Sequence, residues 1–214
     1  MLRVGLTGGI ATGKSVVGEM FVKLGAHVIL ADSISHWLMQ PGHAVYGRVV
    51  EQFGREILNP DGTVNRPRLA EAAFGNPSKG IPARVKELNA IVHPAVLEYE
   101  DEWMEEIGET DPHAIAIVEA ALILEAGGED RFARLIVVTC TPEQRIARFA
   151  QRMKISEAEA RAEVTRRMAA QIPDAEKVKA ADFVIDNSGS LDSTERQVRD
   201  VYAKLQTLAR TPAQ

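Results

Sequence analysis

The stretch "GGIATGKS", Gly8 through Ser15, follows the apolar run "LRVGLT" and precedes residues that recur at helical spacing. Gly8, four intervening residues, Gly13, Lys14 and Ser15 satisfy G-x-x-x-x-G-K-[ST] at every fixed position. Each position has a physical task. Glycines let successive backbone N–H groups converge on an anion with no Cβ in the way. Lys14 is placed to reach terminal phosphates. Ser15 can offer its hydroxyl to Mg²⁺, which takes oxygen ligands and is usually held by few protein groups together with substrate phosphates. Val4 and Leu6 suit a buried strand, while Val16, Val17, Met20, Phe21 and Leu24 form a helical stripe that Gly25 ends. A strand, this loop and a helix whose amino terminus faces the anion fix the start of an α/β fold.

The 214 residues, 45% of them hydrophobic, are enough for one domain with small insertions and cramped for two. A net charge of −5 argues against a general nucleic-acid binder, which would carry a basic face. The lone cysteine, Cys140, excludes an internal disulfide and suits a reducing cytoplasm; after "LIVV" it reads as a buried, inert thiol. No stretch has the order of a signal peptide, and no run of about eighteen apolar residues appears. The expectation is a cytoplasmic protein with no membrane span and no evident protein partner.

Four further apolar runs read as strands: "AHVILAD", which delivers Asp32 to its carboxyl end, then "AIAIVEAALIL", "RLIVVTC" and "ADFVIDN". Helical patterns separate them, so the expected fold is α/β, a parallel sheet with helices on both faces. In the last helix Val198, Val201, Tyr202, Leu205 and Leu208 share one stripe, with Asp192 and Glu195 as a capping signature. Two segments do not fit this repeat. Residues from Ser33 to about Glu109 are helical and polar, with turn signals at "QPGH", "NPDG" and "GNPSKG", and read as a substrate-side insertion. Residues from Thr141 to Lys179 carry Arg145, Arg148, Arg152, Arg161, Arg166 and Arg167. Such arginines either line a solvated helix paired with Glu157, Glu159 and Glu163, or form a lid that neutralises a transferring phosphoryl group.

Asp32 has three readings: a base for an attacking hydroxyl, an organiser of Mg²⁺, or a cap on the following helix. Glu119 is a second candidate for organising metal or water. The acidic run Glu98 to Asp111 reads as an exposed helix face, and Trp37 and Trp103 as packing groups. His93 alone would be structural.

Taken in order, "VGLTGGIATGKS", "ILADSISH", "LNAIVHP", "TPEQRIARFAQR", "RRMAAQ" and "KAADFVIDNSGS" resemble the successive signatures of the dephospho-CoA kinase family across nearly the whole chain. The resemblance implies a P-loop NTPase fold of three αβα layers over residues 1–214, with a core at about 1–33, 112–140 and 180–214. It implies a helical substrate-binding insertion at about 34–111 and a helical lid at about 141–179. It further implies phosphorylation of the ribose 3′-hydroxyl of dephospho-CoA by ATP with Mg²⁺, the last step of coenzyme A synthesis. A nucleoside or nucleoside-monophosphate kinase and a noncatalytic ATP-sensing module are the alternatives.

Carried over by position, ATP binds Gly8, Gly9, Ile10, Ala11, Thr12, Gly13, Lys14, Ser15 and Val16, with Asn187 near the base. Asp32, Lys14, Arg148 and Arg152 are the catalytic set, Asp32, His93, Arg167 and Gln171 contact the substrate, and Ser15 holds the metal. Three positions depart from the family pattern. Ala11 replaces a common glycine and is tolerable if its φ is negative. Leu30 replaces the first of two aspartates, and "EAALILE" lacks a proline before its leucines. Extra residues between Ile155 and Arg167 lengthen the lid helix.

Overall fold

The computed structural model describes residues 1–75 and 80–211; residues 76–79 of the expected "GNPSKG" turn lie outside them. In chain order the elements are β1 (Leu2–Thr7), α1 (Lys14–Lys23), β2 (His27–Leu30), α2 (Ala31–Leu38), α3 (Ala44–Phe53), α4 (Arg66–Phe74), α5 (Val85–Thr110) and β3 (Ile115–Glu119). They continue with β4 (Arg134–Thr139), α6 (Pro142–Met153), α7 (Glu157–Ala169), α8 (Asp174–Ala180), β5 (Phe183–Asp186) and α9 (Leu191–Arg210). The chain divides into two compact units, Met1–Leu30 with Met104–Gln214, and Ala31–Trp103.

The first unit is a five-stranded sheet in the order β2-β3-β1-β4-β5, every pairing parallel. Alternation along the strands sends side chains to two covered faces. Val4, Leu6, Ile117, Ile136 and Ile185 pack under Val17 and Phe21 of α1 and Val198, Val201 and Leu205 of α9. Leu135 and Val137 point the other way, against Ile123, Phe132 and Ala181. The loops after β1, β4 and β5 leave the same end of the sheet, where open α/β folds bind ligands.

Several expected boundaries differ. The run "AIAIVEAALIL" is a strand only to Glu119; beyond it the backbone turns, with the Ala120 N–H donating to Leu6 O at 3.1 Å and Thr7 Oγ1 to Ala121 O at 3.3 Å. β2 ends at Leu30, so Asp32 stands in the first turn of α2, where a carboxylate suits the helix dipole, and not on a strand end or at the cap. α9 is capped by Ser190, whose Oγ accepts from the Ser193 N–H at 3.2 Å; the Asp192 signature is already inside the helix. The segment from Thr141 to Lys179 holds three helices, α6, α7 and α8. α6 ends at Lys154 in the left-handed region, φ 55°, and α7 starts afresh with a Ser156–Glu159 capping box.

The second unit is helical around Val45, Val49, Phe53, Ile57, Leu69, Ala73 and Ile91, with one isolated antiparallel bridge, Leu58 to Val64. Pro94 lies inside α5. Within the acidic run Glu100 is buried, an exception to the exposed face expected there. Trp37, read as a packing group, is 49% exposed and meets the rings of His43 at 4.1 Å and Tyr99 at 5.2 Å.

Candidate phosphate-binding site

The loop from Gly8 to Gly13 joins β1 to α1. Gly8 has φ 153° and Gly13 φ 93°. A Cβ on Gly8 would run into the Val138 carbonyl, and one on Gly13 into the Asn187 side-chain amide, so glycine is required at both for space as well as rotation. Ala11 also lies in the left-handed region, φ 54°. The condition under which alanine would be tolerated without strain is therefore not met, and this residue carries about 1–2 kcal/mol of backbone strain.

Side chains fix which way the loop's peptides point. Lys14 Nζ donates to Gly8 O at 2.9 Å and Gly9 O at 3.3 Å, and Thr12 Oγ1 donates to Gly9 O at 3.1 Å. Thr12 O accepts from Arg148 Nη1 at 3.0 Å and Asn187 Nδ2 at 2.8 Å. The loop's peptides are trans, like all those among the described residues, so a carbonyl held outward turns the N–H of the same peptide the opposite way. The Gly9, Ile10 and Gly13 N–H groups thus face away from these clamps, as an anion cradle needs.

Asn187 is 6% exposed, and its remaining amide oxygen accepts from Thr194 Oγ1 at 3.0 Å. Its side chain braces the loop from behind. Arg148 completes this brace by donating Nη2 to Asn187 O at 2.8 Å.

At the helix start, Ser15 Oγ donates to Glu119 Oε1 at 2.8 Å, and Glu119 is 7% exposed at the carboxyl end of β3. Leu30 is its register partner on β2, so the carboxylate missing at Leu30 has a neighbour of the same chemistry one strand away. A hydroxyl and a carboxylate together beside a phosphate loop suit a hard divalent cation that keeps most of its shell for water and phosphates. Among the described residues, no group of three or more His, Cys, Asp or Glu side chains forms a metal cage, and none is needed for such binding.

The arginines separate into two sets. Arg145 is 1% exposed and ion-paired to Asp174, and Arg148 is seated on the loop. Arg152 and Arg167 both lie over the Phe149 ring, 5.4 and 5.6 Å from its centroid. Arg167 also pairs with Glu163 at 2.6 Å, as Arg166 does at 2.8 Å and Arg161 with Glu157 at 3.5 Å. Hydrogen bonds from Arg166 and then Arg167 hold the Glu163 carboxyl down to about 2. Gln171 is half-buried just past α7, its N–H on Met168 O at 3.2 Å. Cys140 is half-buried and burial raises its pKa, which keeps the thiol protonated and unreactive.

Asp32 and His93 belong to the helical unit, where both are exposed. Three supporting residues escaped the sequence reading. Asp174 and Thr194 act through contacts 29 and 7 residues away, at Arg145 and Asn187, which no local periodicity announces. Phe149, 3% exposed, had a visible signal, an aromatic between Arg148 and Arg152 on an amphipathic helix.

The sequence profile of the dephospho-CoA kinase family matches residues 2–193. A dephospho-CoA kinase of Geobacter metallireducens is 40% identical over 198 residues, covering 92% of this chain and 94% of its own. That of Syntrophotalea carbinolica is 38% identical over 205 residues, covering 96% and 92%. Among solved structures, a Thermus thermophilus protein superposes with TM-score 0.74 at 30% identity over 95% of this chain and 97% of its own. A shikimate kinase of Bacteroides thetaiotaomicron, 14% identical with TM-score 0.51 and covering 96% and 98%, shares the fold. With the braced phosphate loop and the 2-3-1-4-5 sheet beneath it, this chain belongs to the dephospho-CoA kinase family, P-loop kinases that perform the last step of coenzyme A synthesis.

Proposed function

We propose that the chain moves the γ-phosphoryl group of ATP directly onto the ribose 3′-hydroxyl of dephospho-CoA, giving coenzyme A and ADP. The observation that carries this reading is the phosphate loop held open by Lys14, Thr12, Arg148 and Asn187 beside the Ser15–Glu119 pair. The inward N–H groups and Lys14 hold the triphosphate. Ser15 and Glu119 would hold Mg²⁺ between them. When bound, that ion neutralises charge on the β- and γ-phosphates. Arg148, from its seat on Thr12, and Arg152, from the neighbouring turn of α6, supply positive charge to the transferring group.

Asp32 takes the proton of the 3′-hydroxyl as its oxygen bonds to the γ-phosphorus and the bond to the β,γ-bridging oxygen breaks. His93, Arg167 and Gln171 contact the acceptor, and Asn187 supports the nucleotide by shaping the loop. No helix among the described residues is long and apolar enough to cross a membrane.

ADP release with Mg-ATP and dephospho-CoA, with mass detection of the product, tests the reading. A product heavier by one phosphoryl group and dependent on the acceptor is expected; ATP binding without that product overturns the substrate assignment. Asp32→Asn should keep ATP binding and lower turnover about a hundredfold or more. Near-normal turnover in that variant removes Asp32 from the base role.

A further inference from the structure

α6 presents a second guanidinium to the phosphate loop. Arg145 precedes Arg148 by three residues and so shares its helix face. Its side chain is 1% exposed, and its Nη1 occupies the space into which a Cβ on Gly9 would project. Nη2 is ion-paired to Asp174, the first residue of α8, and Nε finds no hydrogen-bond partner among the described residues. The two partners differ in exposure and in distance: the Asp174 side chain is 37% exposed, and its Oδ1 stands 3.4 Å from where a Cβ on Gly9 would lie, farther than Arg145 Nη1. Water screens a charge at the surface far more than one in the interior, so the carboxylate does not cancel the guanidinium at the loop. A buried cation against Gly9 leaves net positive potential where a triphosphate would lie. If packing alone were needed, an apolar side chain of similar volume would serve at lower desolvation cost.

We infer that Arg145 is a positioning residue that raises the affinity of the phosphate loop for polyphosphate through its buried charge, and that Asp174 moderates it. This rests on ATP being the ligand of the loop, and not on the identity of the acceptor. An electrostatic role and a purely mechanical brace give opposite signs for one substitution. Removing the Asp174 charge unmasks Arg145 and tightens ATP binding; loosening a brace weakens it.

The test is calorimetric ATP affinity in the full chain without acceptor, together with the melting temperature of each variant. Arg145→Gln is expected to raise the Kd for ATP about tenfold, and Asp174→Asn to lower it about threefold even though the melting temperature falls. Arg145→Lys, which keeps the charge, should stay within about threefold of the parent protein. Weaker ATP binding in Asp174→Asn, in parallel with lost stability, overturns the inference and makes the pair a brace. If Arg145→Gln does not fold, the sign of the change in ATP affinity of Asp174→Asn still decides. A parent protein that binds no ATP overturns the underlying reading, and the inference with it. Binding without phosphorylation of dephospho-CoA removes only the acceptor.

Discussion

α6 and α7 are neighbouring helices of similar arginine content, yet their arginines have different fates. On α6, Arg145 is buried against Gly9 and Arg148 donates to Thr12 O and Asn187 O. On α7, Arg161, Arg166 and Arg167 pair with glutamates three or four residues back, with side chains 55%, 69% and 49% exposed. The difference is already in the local spacing. α7 supplies Glu157 and Glu163 at i−4 and i−3 to its arginines, so their charge is met within the helix. α6 has a single glutamate, Glu143, in its first turn; Arg145 and Arg148 find acceptors on other segments, and Arg152 lies over the ring of Phe149. An arginine without a carboxylate one turn away is the one to examine for a role outside its own helix.

The hinge of this comparison is Phe149, which with Ile10, Ile146, Ala160 and Val164 binds the two helices to each other and to the phosphate loop. Phe149→Ala should cost about 3–5 kcal/mol of stability, read as a fall in the denaturation midpoint, because the cavity opens where all three segments meet. A loss below about 1 kcal/mol would mean that the helices do not share this core. Next in size is Ala11→Gly. Relief of the left-handed strain at φ 54° should stabilise the protein by about 1 kcal/mol despite the added freedom of the unfolded chain, and destabilisation would contradict that conformation.

The smallest effect belongs to α7. Glu163 titrates lower in the folded chain, at about 2 in place of 4.5, so its pairs stabilise above pH 4.5 and lose their contribution as pH falls toward 2. Its arginine partners are exposed, and screening reduces the effect to about 0.5 kcal/mol. Glu163→Gln should lower stability by about that amount at neutral pH and leave it unchanged near pH 2, which flattens the acid limb of the stability curve.

The core was legible because buried parallel strands are continuous apolar runs, and "LRVGLT", "RLIVVTC" and "ADFVIDN" contain nearly the strands observed. Where a strand stops was not. "EAALIL" is as apolar as the strand before it, and only the turn closed by Thr7 and Leu6 ends the ladder at Glu119. Asp32 was placed one element early for the same reason, since "ILAD" carries no breaker between strand and helix.

The phosphate loop was readable from its fixed residues, but the brace was not. Asn187 and Arg148 reach Thr12 across 175 and 136 residues, and the burial that separates Arg145 from Arg161 is a property of packing, not of composition. The backbone angle at Ala11 likewise comes from loop closure, which a free position in a motif does not reveal.

The most direct measurement sets one arginine from each helix side by side: steady-state kinetics with Mg-ATP and dephospho-CoA for Arg148→Ala and Arg166→Ala. If α6 serves the phosphate loop, Arg148→Ala lowers kcat/KM for ATP about a hundredfold or more, while Arg166→Ala stays within about twofold of the parent protein. Equal losses in the two variants, or a harmless Arg148→Ala, would contradict the assignment of the loop-bracing and charge-supplying role to α6.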